Sequence, residues 1–178
     1  DSADSFEYSG SPAIRVADFQ ELNLLGENVS DRIWTDTSGK GNNGIASLTE
    51  PFFGAGSVYF DGTGDYLDLP NGAGFNSSDL YTIEFWVYNP EVVSGSAPFF
   101  TFGTGSASQG FALDYTSTPS LRLDYYSNSI SYNVNLQDNQ WHHISASFDG
   151  TTRRLFLDGN LVANDTNTGS YTAQNVVI

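Results

Sequence analysis

Apolar and polar residues alternate along short segments of the chain, and turn residues separate these segments. In Tyr81–Tyr88 (YTIEFWVY), apolar residues alternate with Thr82, Glu84 and Trp86, and Pro90 follows. A period of two places the apolar set on one face of a strand, and proline ends the strand because it cannot donate to the ladder. The pattern therefore predicts a half-buried strand that ends before Pro90.

Further short segments with turn signals between them occur every 8 to 12 residues or so, which is typical of a sandwich or jelly roll. Gly-containing or polar stretches at 61–65, 117–120 and 158–159 predict the tight connections. The other predicted strands are Ser57–Phe60, Tyr66–Leu69, Pro98–Gly103, Gly110–Tyr115, Leu121–Tyr126, Ser129–Val134, Trp141–Phe148, Arg153–Leu157 and Leu161–Ala163. We therefore predict an all-β protein, a two-sheet antiparallel β-sandwich of the jelly-roll type.

Composition and charge narrow the function. The 178 residues fit one domain, with a polar N-terminal arm at 1–20 and the sandwich at 21–178. The absence of cysteine excludes disulfides, thiolate metal sites and cysteine catalysis. A net charge of −15 argues against nucleic acid and anionic membranes as partners, because their phosphates would be repelled. No apolar run approaches the roughly 20 residues that span a bilayer, so we expect no membrane insertion.

Four motifs follow one another over about residues 30–165. They are Asp36–Gly44 (DTSGKGNNG), Val58–Gly62 with the DYL that follows it, Tyr81–Val87 (YTIEFWV), and Trp141–Gly159 with its WHHI, FDG and LFLDG segments. In this order they resemble the laminin-G-like branch of the concanavalin A-like lectin/glucanase superfamily. The resemblance implies a jelly roll of two curved antiparallel sheets.

The sequence departs from that family at both ends. Family members continue past the position of Ile178 with a long final strand, whereas this sequence closes on the apolar run Asn175–Ile178. A sandwich lacking that strand would present open backbone donors and acceptors. We expect either that this sequence is a fragment of a longer chain, or that a partner or the arm at 1–20 fills such a gap by strand addition. The opening segment Ile14–Leu25 does not match the family's usual first strand.

The superfamily includes glycoside hydrolases, whose chemistry needs two carboxyl groups across the scissile bond. The E-x-D-x-x-E pattern of the glucanase branch is absent from this sequence. Asp114 and Asp124 could approach one another across the hairpin of FALDY and LRLDY, with Arg122 on the face of Asp124. They are either a solvated sheet face in which Arg122 balances two aspartates or an acid pair. We favour the first interpretation and predict that the protein is not an enzyme.

His142 and His143 are the only histidines. Neighbours on a strand point to opposite faces, so these two cannot grip one metal ion together. The resemblance implies a structural role for His143, which we extend to His142, and we expect Trp141 to pack in the core or against the sheet.

Calcium is the one cofactor that the sequence suggests. In similar family members the loop corresponding to Asp36–Gly44 and the FDG turn can lie near one another and hold a calcium ion. Carried over, the resemblance makes Asp36 and Asp61, with Asn42 as a weaker third, candidate ligands of a structural Ca²⁺. The alternative is that these side chains only satisfy turn backbones.

A tyrosine-rich stretch, LDYYSNSISYNVN, offers the best candidate ligand patch. Sugar binding needs an exposed aromatic face together with convergent polar groups. The predicted ligand-binding residues are Tyr125, Tyr126, Tyr132, Asn133, Asp114, Arg122 and Asp124.

We therefore predict a non-catalytic recognition or adhesion module, outside the cell or on a particle surface, that binds glycans or surface proteins. The alternative is a structural subunit of a surface assembly, such as a virion decoration or fibre protein, whose partners are further copies of itself or other subunits. A glycoside hydrolase is the third hypothesis, because the fold permits it.

Overall fold

The computed structural model describes residues 13–16, 23–30, 33–38, 40–47, 52–54, 57–60, 62–69, 80–89, 95–103, 110–125, 128–166 and 176–177. At 13–16, 23–30, 52–54, 102 and 176–177 only the backbone is described. Within these ranges the regular secondary structure consists of strands, and none of it is a helix that could span a membrane.

The strands are short, as the turn spacing predicts. In chain order they are β1 (Ala13–Val16), β2 (Asn23–Ser30), β3 (Ile33–Asp36), β4 (Gly44–Ala46), β5 (Phe52–Gly54), β6 (Ser57–Tyr59), β7 (Leu67–Leu69), β8 (Tyr81–Tyr88), β9 (Ser96–Gly103), β10 (Gly110–Thr116), β11 (Ser120–Asp124), β12 (Ser129–Asn133), β13 (Trp141–Phe148), β14 (Arg153–Leu157), β15 (Asn160–Asp165) and β16 (Val176–Val177). All pairings between them are antiparallel.

Fourteen of the strands in the described ranges form one continuous ladder in the order β12-β11-β10-β9-β16-β7-β4-β3-β2-β1-β8-β13-β14-β15, and β5 and β6 form a separate hairpin. The ladder folds over on itself, because residues from its two halves touch. The rings of Tyr81 in β8 and Phe111 in β10 meet edge to face at 5.8 Å, and β12 lies against β15. The result is the predicted two-sheet antiparallel sandwich, which is confirmed.

Among the described side chains, the core lies between the two halves and includes alternate residues of the central strands. In β8 the inward set includes Ile83 and Phe85, and in β10 it includes Leu113 and Tyr115, all of them buried. Burial of one such side chain contributes about 1.5–3 kcal/mol. The period-two pattern of the sequence therefore correctly predicts these inward residues of the central strands.

Several predicted elements have the bounds expected from the sequence. Tyr81–Tyr88, Trp141–Phe148 and Arg153–Leu157 are strands over the full predicted ranges. Asp158 and Gly159 have φ values of 49° and 78°, the positive pair that a type I′ hairpin requires. The bounds of these strands could be predicted from local sequence, because the alternation of apolar residues and the positions of the turn residues indicate the same ends.

The turn between β13 and β14 is held by an aspartate. The backbone N–H of Thr152 and that of Thr151 donate to Asp149 Oδ1 at 2.8 and 2.9 Å, and Arg154 Nη1 donates to Oδ2 at 2.6 Å. The hydrogen bond from Thr152 has the largest effect on Asp149, followed by those from Arg154 and Thr151. Together these bonds lower the pKa of Asp149 to about 2. These contacts fix the hairpin that carries the FDG motif.

Two segments near the ends of the sequence enter the sheet. β1 pairs with β2 and with β8, so the ladder begins inside the segment that the sequence assigned to a polar arm. In β16, Val176 lies opposite Leu69 of β7 on one side and Phe102 of β9 on the other. The apolar run that the sequence analysis placed next to an open edge is therefore paired on both sides. The domain boundaries stay predictions.

One arginine lies inside the sandwich, which the sequence analysis did not foresee. Arg153 is 0% exposed, and its guanidinium carbon stands 4.2 Å above the centre of the Tyr125 ring. Its Nε donates to Asp165 Oδ1 at 2.8 Å, its Nη2 donates to Asp165 Oδ2, and its Nη1 donates to the carbonyl of Asn128 at 3.1 Å. Arg153 thus joins β14 and β15 to the β11–β12 connection in the other half of the sheet.

Candidate functional site

Three large aromatic side chains are exposed on the outer face of β8 and β13. Alternation in β8 turns Trp86 and Tyr88 away from the core, and pairing places Trp141 directly opposite Tyr88. Their exposed fractions are 39% for Trp86, 41% for Tyr88 and 47% for Trp141. Large aromatic rings exposed together, rather than singly, mark a binding surface.

The rings occupy two successive rungs on the same face. The Tyr88 and Trp141 ring centres are 5.7 Å apart with an angle of 46° between planes. On the next rung, Trp86 faces His143 at 5.3 Å and 54°. Residues two apart on a strand are separated by about 7 Å, so the four rings form a compact platform. We call Trp86, Tyr88, Trp141 and His143 the aromatic face.

Polar groups lie beside these rings. His143 Nε2 is 3.7 Å from Glu84 Oε2, and the hydroxyl of Tyr88 donates to Asn139 Oδ1 at 3.3 Å. Ser145 is the rung partner of Glu84. The arrangement therefore combines stacking rings with carboxylate, amide and imidazole groups, which is the composition of a site for a ligand with an apolar side and several hydroxyls.

His142 points to the opposite side of β13 and is held by two carboxylates. Its Nδ1 is 2.9 Å from Asp158 Oδ2, and its Nε2 is 3.1 Å from Asp138 Oδ1. Burial alone would lower the pKa of His142, but the hydrogen bonds to Asp158 and Asp138 and the negative charges of these residues outweigh it, so the pKa is raised. Asp158 also accepts a bond from the backbone N–H of His143 at 2.9 Å, so these contacts tie the type I′ turn to β13.

Stability is therefore expected to depend on the charge of His142. Because its pKa is raised in the folded protein, its protonation stabilises the fold fully below the unfolded value of about 6.5 and ceases to do so as pH rises through the folded value. His142→Gln is expected to lower the free energy of unfolding by about 1 kcal/mol at pH 6, and by less at pH 9. Urea unfolding of both proteins at the two pH values measures this, and an equal difference at both would contradict the charge assignment.

The described residues of the predicted tyrosine patch do not form one exposed surface. Tyr125 is 2% exposed, and its hydroxyl lies 2.5 Å from that of Tyr81 inside the sandwich, so the expectation of an exposed ring is wrong for Tyr125. The reason is non-local, since Tyr81 and Arg153 come from the other half of the sheet. Tyr132 is 39% exposed and Asn133 is exposed, both on β12. Tyr126 lies outside the described residues.

The predicted acidic group on β10 and β11 is an ion-pair cluster. Asp114 is 1% exposed; its Oδ1 accepts from Arg122 Nε at 2.9 Å, and its Oδ2 accepts from Arg122 Nη2 at 2.5 Å and from the hydroxyl of Ser96. Arg122 Nη1 is 3.4 Å from Asp124 Oδ2. The guanidinium thus contacts both carboxylates, which suits a balanced sheet face better than an acid and base pair.

The candidate calcium loop is closed by its own hydrogen bonds. Asp36 Oδ1 accepts from the backbone N–H of Ser38 at 2.8 Å, and Oδ2 accepts from the Ser38 hydroxyl at 2.8 Å and from the backbone N–H of Asn42 at 3.0 Å. Asp61 lies outside the described residues. Across the described ranges, no three or more acidic or histidine side chains are grouped so as to hold a metal ion. The contacts of Asp36 favour the turn interpretation, and calcium stays a prediction.

The aromatic face was not predicted from the sequence. Trp141 was expected in the core or against the sheet, yet it is nearly half exposed because its rung partner Tyr88 is on the outer face. The available signal was the alternation of β8, which already placed Trp86 on the polar side with Glu84.

Proteins with an antiparallel two-sheet jelly roll include both lectins and glycan-cleaving enzymes. Residues 61–178 match the family model described as the concanavalin A-like lectin/glucanases superfamily, in its laminin-G-like form. The chain therefore belongs to that family. No curated protein matches the chain.

Solved structures with a similar fold include both binding modules and surface proteins. A carbohydrate-binding module of the Ruminococcus gnavus IT-sialidase is 14% identical with a TM-score of 0.48, over 57% of this chain and 64% of that one. Domain 4 of the Geobacillus stearothermophilus arabinanase AbnA, in complex with arabinotriose, is 14% identical with a TM-score of 0.48, over 93% and 71%. An S-layer domain-containing protein of Clostridium thermocellum is 25% identical with a TM-score of 0.48, over 83% and 71%. The chain thus spans just under two thirds of the sialidase module.

Proposed function

We propose that this protein is a non-catalytic glycan-recognition module whose ligand stacks on the aromatic face. The observation that carries the proposal is the exposure of Trp86, Tyr88 and Trp141 side by side on one sheet face. The lectins of the superfamily give glycan binding a precedent on this fold, although fold alone does not establish function.

The chemistry of a sugar ring suits this surface. One side of a pyranose carries C–H groups and packs against an aromatic ring, whereas its hydroxyls need donors and acceptors at the edge. Glu84, Asn139 and His143 supply such groups within a few ångströms of the rings. Because the rings cover two rungs, a ligand longer than one sugar unit would engage both.

Catalysis is not part of the proposal. A glycosidase needs one carboxyl that donates a proton and a second that acts as base or nucleophile. Asp114, the most buried of the candidate acids, has both oxygens engaged by Arg122. We expect Asp114→Asn to lower the free energy of unfolding, because it weakens this ion pair. We expect it to have no effect in an assay of glycan hydrolysis.

The setting that fits is outside a cell or on a particle surface, where a glycan or a glycan-bearing protein is the partner. A structural role in a surface assembly, virion or fibre, stays a prediction, which the solution mass of the chain tests.

The test is affinity electrophoresis through gels that contain different soluble polysaccharides, combined with an assay for released reducing ends. We expect retardation in at least one polysaccharide and no reducing ends after prolonged incubation. Release of reducing sugar would contradict the non-catalytic assignment. Unretarded migration in every polysaccharide, together with a defined multimer in solution, would favour the assembly role instead.

A further inference from the structure

The connection between β12 and β13 brings Asn139 to the aromatic face. Leu136 anchors this connection, since it is fully buried and its backbone N–H donates to the Tyr115 hydroxyl at 3.2 Å. Asn139 has a φ of 60°, in the left-handed region that asparagine adopts more readily than most residues. Its Oδ1 accepts the Tyr88 hydroxyl at 3.3 Å, and the side chain is exposed, so its amide nitrogen can donate to a ligand at the edge of the rings.

The position of Asn139 depends on Asp138, the residue before it. Asp138 Oδ1 accepts the backbone N–H of Gln140 at 3.1 Å, which fixes the turn around Asn139. The same oxygen lies 3.1 Å from His142 Nε2, and His142 Nδ1 lies 2.9 Å from Asp158 Oδ2. The imidazole of His142 therefore joins the turn at Asn139 to the hairpin after β14.

The contacts on both sides of His142 require a charged ring. A neutral imidazole has one N–H and donates to one carboxylate, whereas an imidazolium donates to both. Among the described residues, Asp138 and Asp158 are the charged groups that face the ring, and β8 places Val87 opposite it. Burial lowers the pKa of His142, but the hydrogen bonds and negative charges of the two aspartates outweigh it and raise the pKa.

Loss of the proton therefore breaks one of the two contacts, and the weaker one is that to Asp138. Asp158 also accepts the backbone N–H of His143 at 2.9 Å, within the type I′ turn. Asp138 lies in the longer connection, and its contact to the ring is the longer of the two. A neutral His142 thus loosens the turn that carries Asn139.

We infer that the charge of His142 regulates glycan binding through the position of Asn139, so that the aromatic face binds its ligand more tightly at pH 6 than at pH 9. The inference rests on the proposed function and adds its regulation. His142 lies on the side of β13 away from the rings, so it acts as a positioning residue and not as a ligand contact. By linkage, a bound ligand must in turn favour the protonated ring.

The affinity of the full chain for a retaining polysaccharide tests this inference, measured by affinity electrophoresis at pH 6 and pH 9 against gels without polysaccharide. We expect binding about threefold tighter at pH 6, the effect of part of one hydrogen bond. His142→Gln should bind equally at both pH values, because an amide does not titrate. Asp138→Asn should also lose the difference, since it keeps an acceptor for Gln140 and removes the charge beside the ring.

The matched control is His143→Gln, which removes the neighbouring histidine on the aromatic face. It should lower the affinity at both pH values but keep the ratio between them, because the contact between His142 and Asp138 is retained. In nuclear magnetic resonance spectra, a saturating polysaccharide fragment is expected to raise the pKa of His142 by about half a unit, which corresponds to the same threefold factor.

The possible failures differ. Equal affinity of the unaltered chain at pH 6 and pH 9, or a pKa of His142 that the ligand does not move, overturns the regulation and leaves glycan binding in place. A ratio that survives in His142→Gln and vanishes in His143→Gln also overturns it, and assigns the pH dependence to the ring on the aromatic face. Retardation by no polysaccharide at either pH overturns both proposals.

Discussion

Replacing Arg153 by methionine is expected to lower the free energy of unfolding by about 3 kcal/mol. Arg153 is fully buried, and its bonds reach Asp165 in the same half of the sheet and the Asn128 carbonyl in the other. Methionine keeps most of the volume but leaves the Asp165 carboxylate without the guanidinium, and removing one partner of such an ion pair is costly. The Asn128 carbonyl loses its bond from Arg153 and keeps the one from the backbone N–H of Tyr125. Burial would lower the pKa of Arg153, but bonding to Asp165 outweighs it and raises the pKa, so the group stays charged.

Urea denaturation measures this change, and the thermal midpoint should fall by roughly 6–12 °C for a domain of this size. The matched control is Arg154→Met, the next residue, whose surface ion pair with Asp149 is expected to contribute 1 kcal/mol or less, as surface pairs generally do. Arg153→Lys should also destabilise, because an ammonium cannot supply the bidentate fork or stack on Tyr125. Equal stability of the two methionine variants would contradict the bridging role of Arg153.

Removing Trp141 and Tyr88 together is expected to abolish glycan binding, and either single alanine variant should weaken it about tenfold or more. The two rings are rung partners 5.7 Å apart at the end of β8 and β13, and both are nearly half exposed. Their loss therefore removes stacking area and costs the core little. Tyr88→Phe separates the two roles of Tyr88, since it keeps the ring and loses only the hydroxyl bond to Asn139.

Affinity electrophoresis in a retaining polysaccharide measures this prediction. Tyr66→Ala is the control, because Tyr66 is 46% exposed but precedes β7 in the other half of the sheet. Tight binding by the double alanine variant, with its unfolding transition unchanged, would show that the ligand lies elsewhere.

Local pattern was sufficient for the strands that build the platform. Alternation and turn residues bounded β8, β13 and β14, and the Asp158–Gly159 hairpin was predicted from its dipeptide alone. β3 and β4 have only four and three residues, too short for alternation to be recognised. The chain order of the motifs supplied the family, which the match to residues 61–178 confirms.

The position of the site could not be obtained in this way, because exposure depends on which strands pair and on what covers each face. Tyr125 has the sequence features of a surface aromatic, yet Arg153 and Tyr81 reach it from the opposite sheet. Trp141 lies on the side of β13 opposite the buried Ile144, Ala146 and Phe148, so alternation already indicated that it points outward; its position beside Tyr88 follows only from strand pairing. The burial of Tyr125 and the grouping of the aromatic face both come from contacts between residues far apart in the sequence.

The three tryptophans of the chain allow the central claim to be tested in one titration. Trp86 and Trp141 belong to the aromatic face, whereas Trp34 is 4% exposed in β3 and serves as an internal reference. In a two-dimensional ¹H–¹⁵N spectrum the three indole N–H signals are followed as a retaining polysaccharide fragment is added. We predict that the signals of Trp86 and Trp141 shift together and saturate, while that of Trp34 stays in place. Saturable binding that leaves both outer indoles unmoved would contradict the assignment of this face as the glycan site.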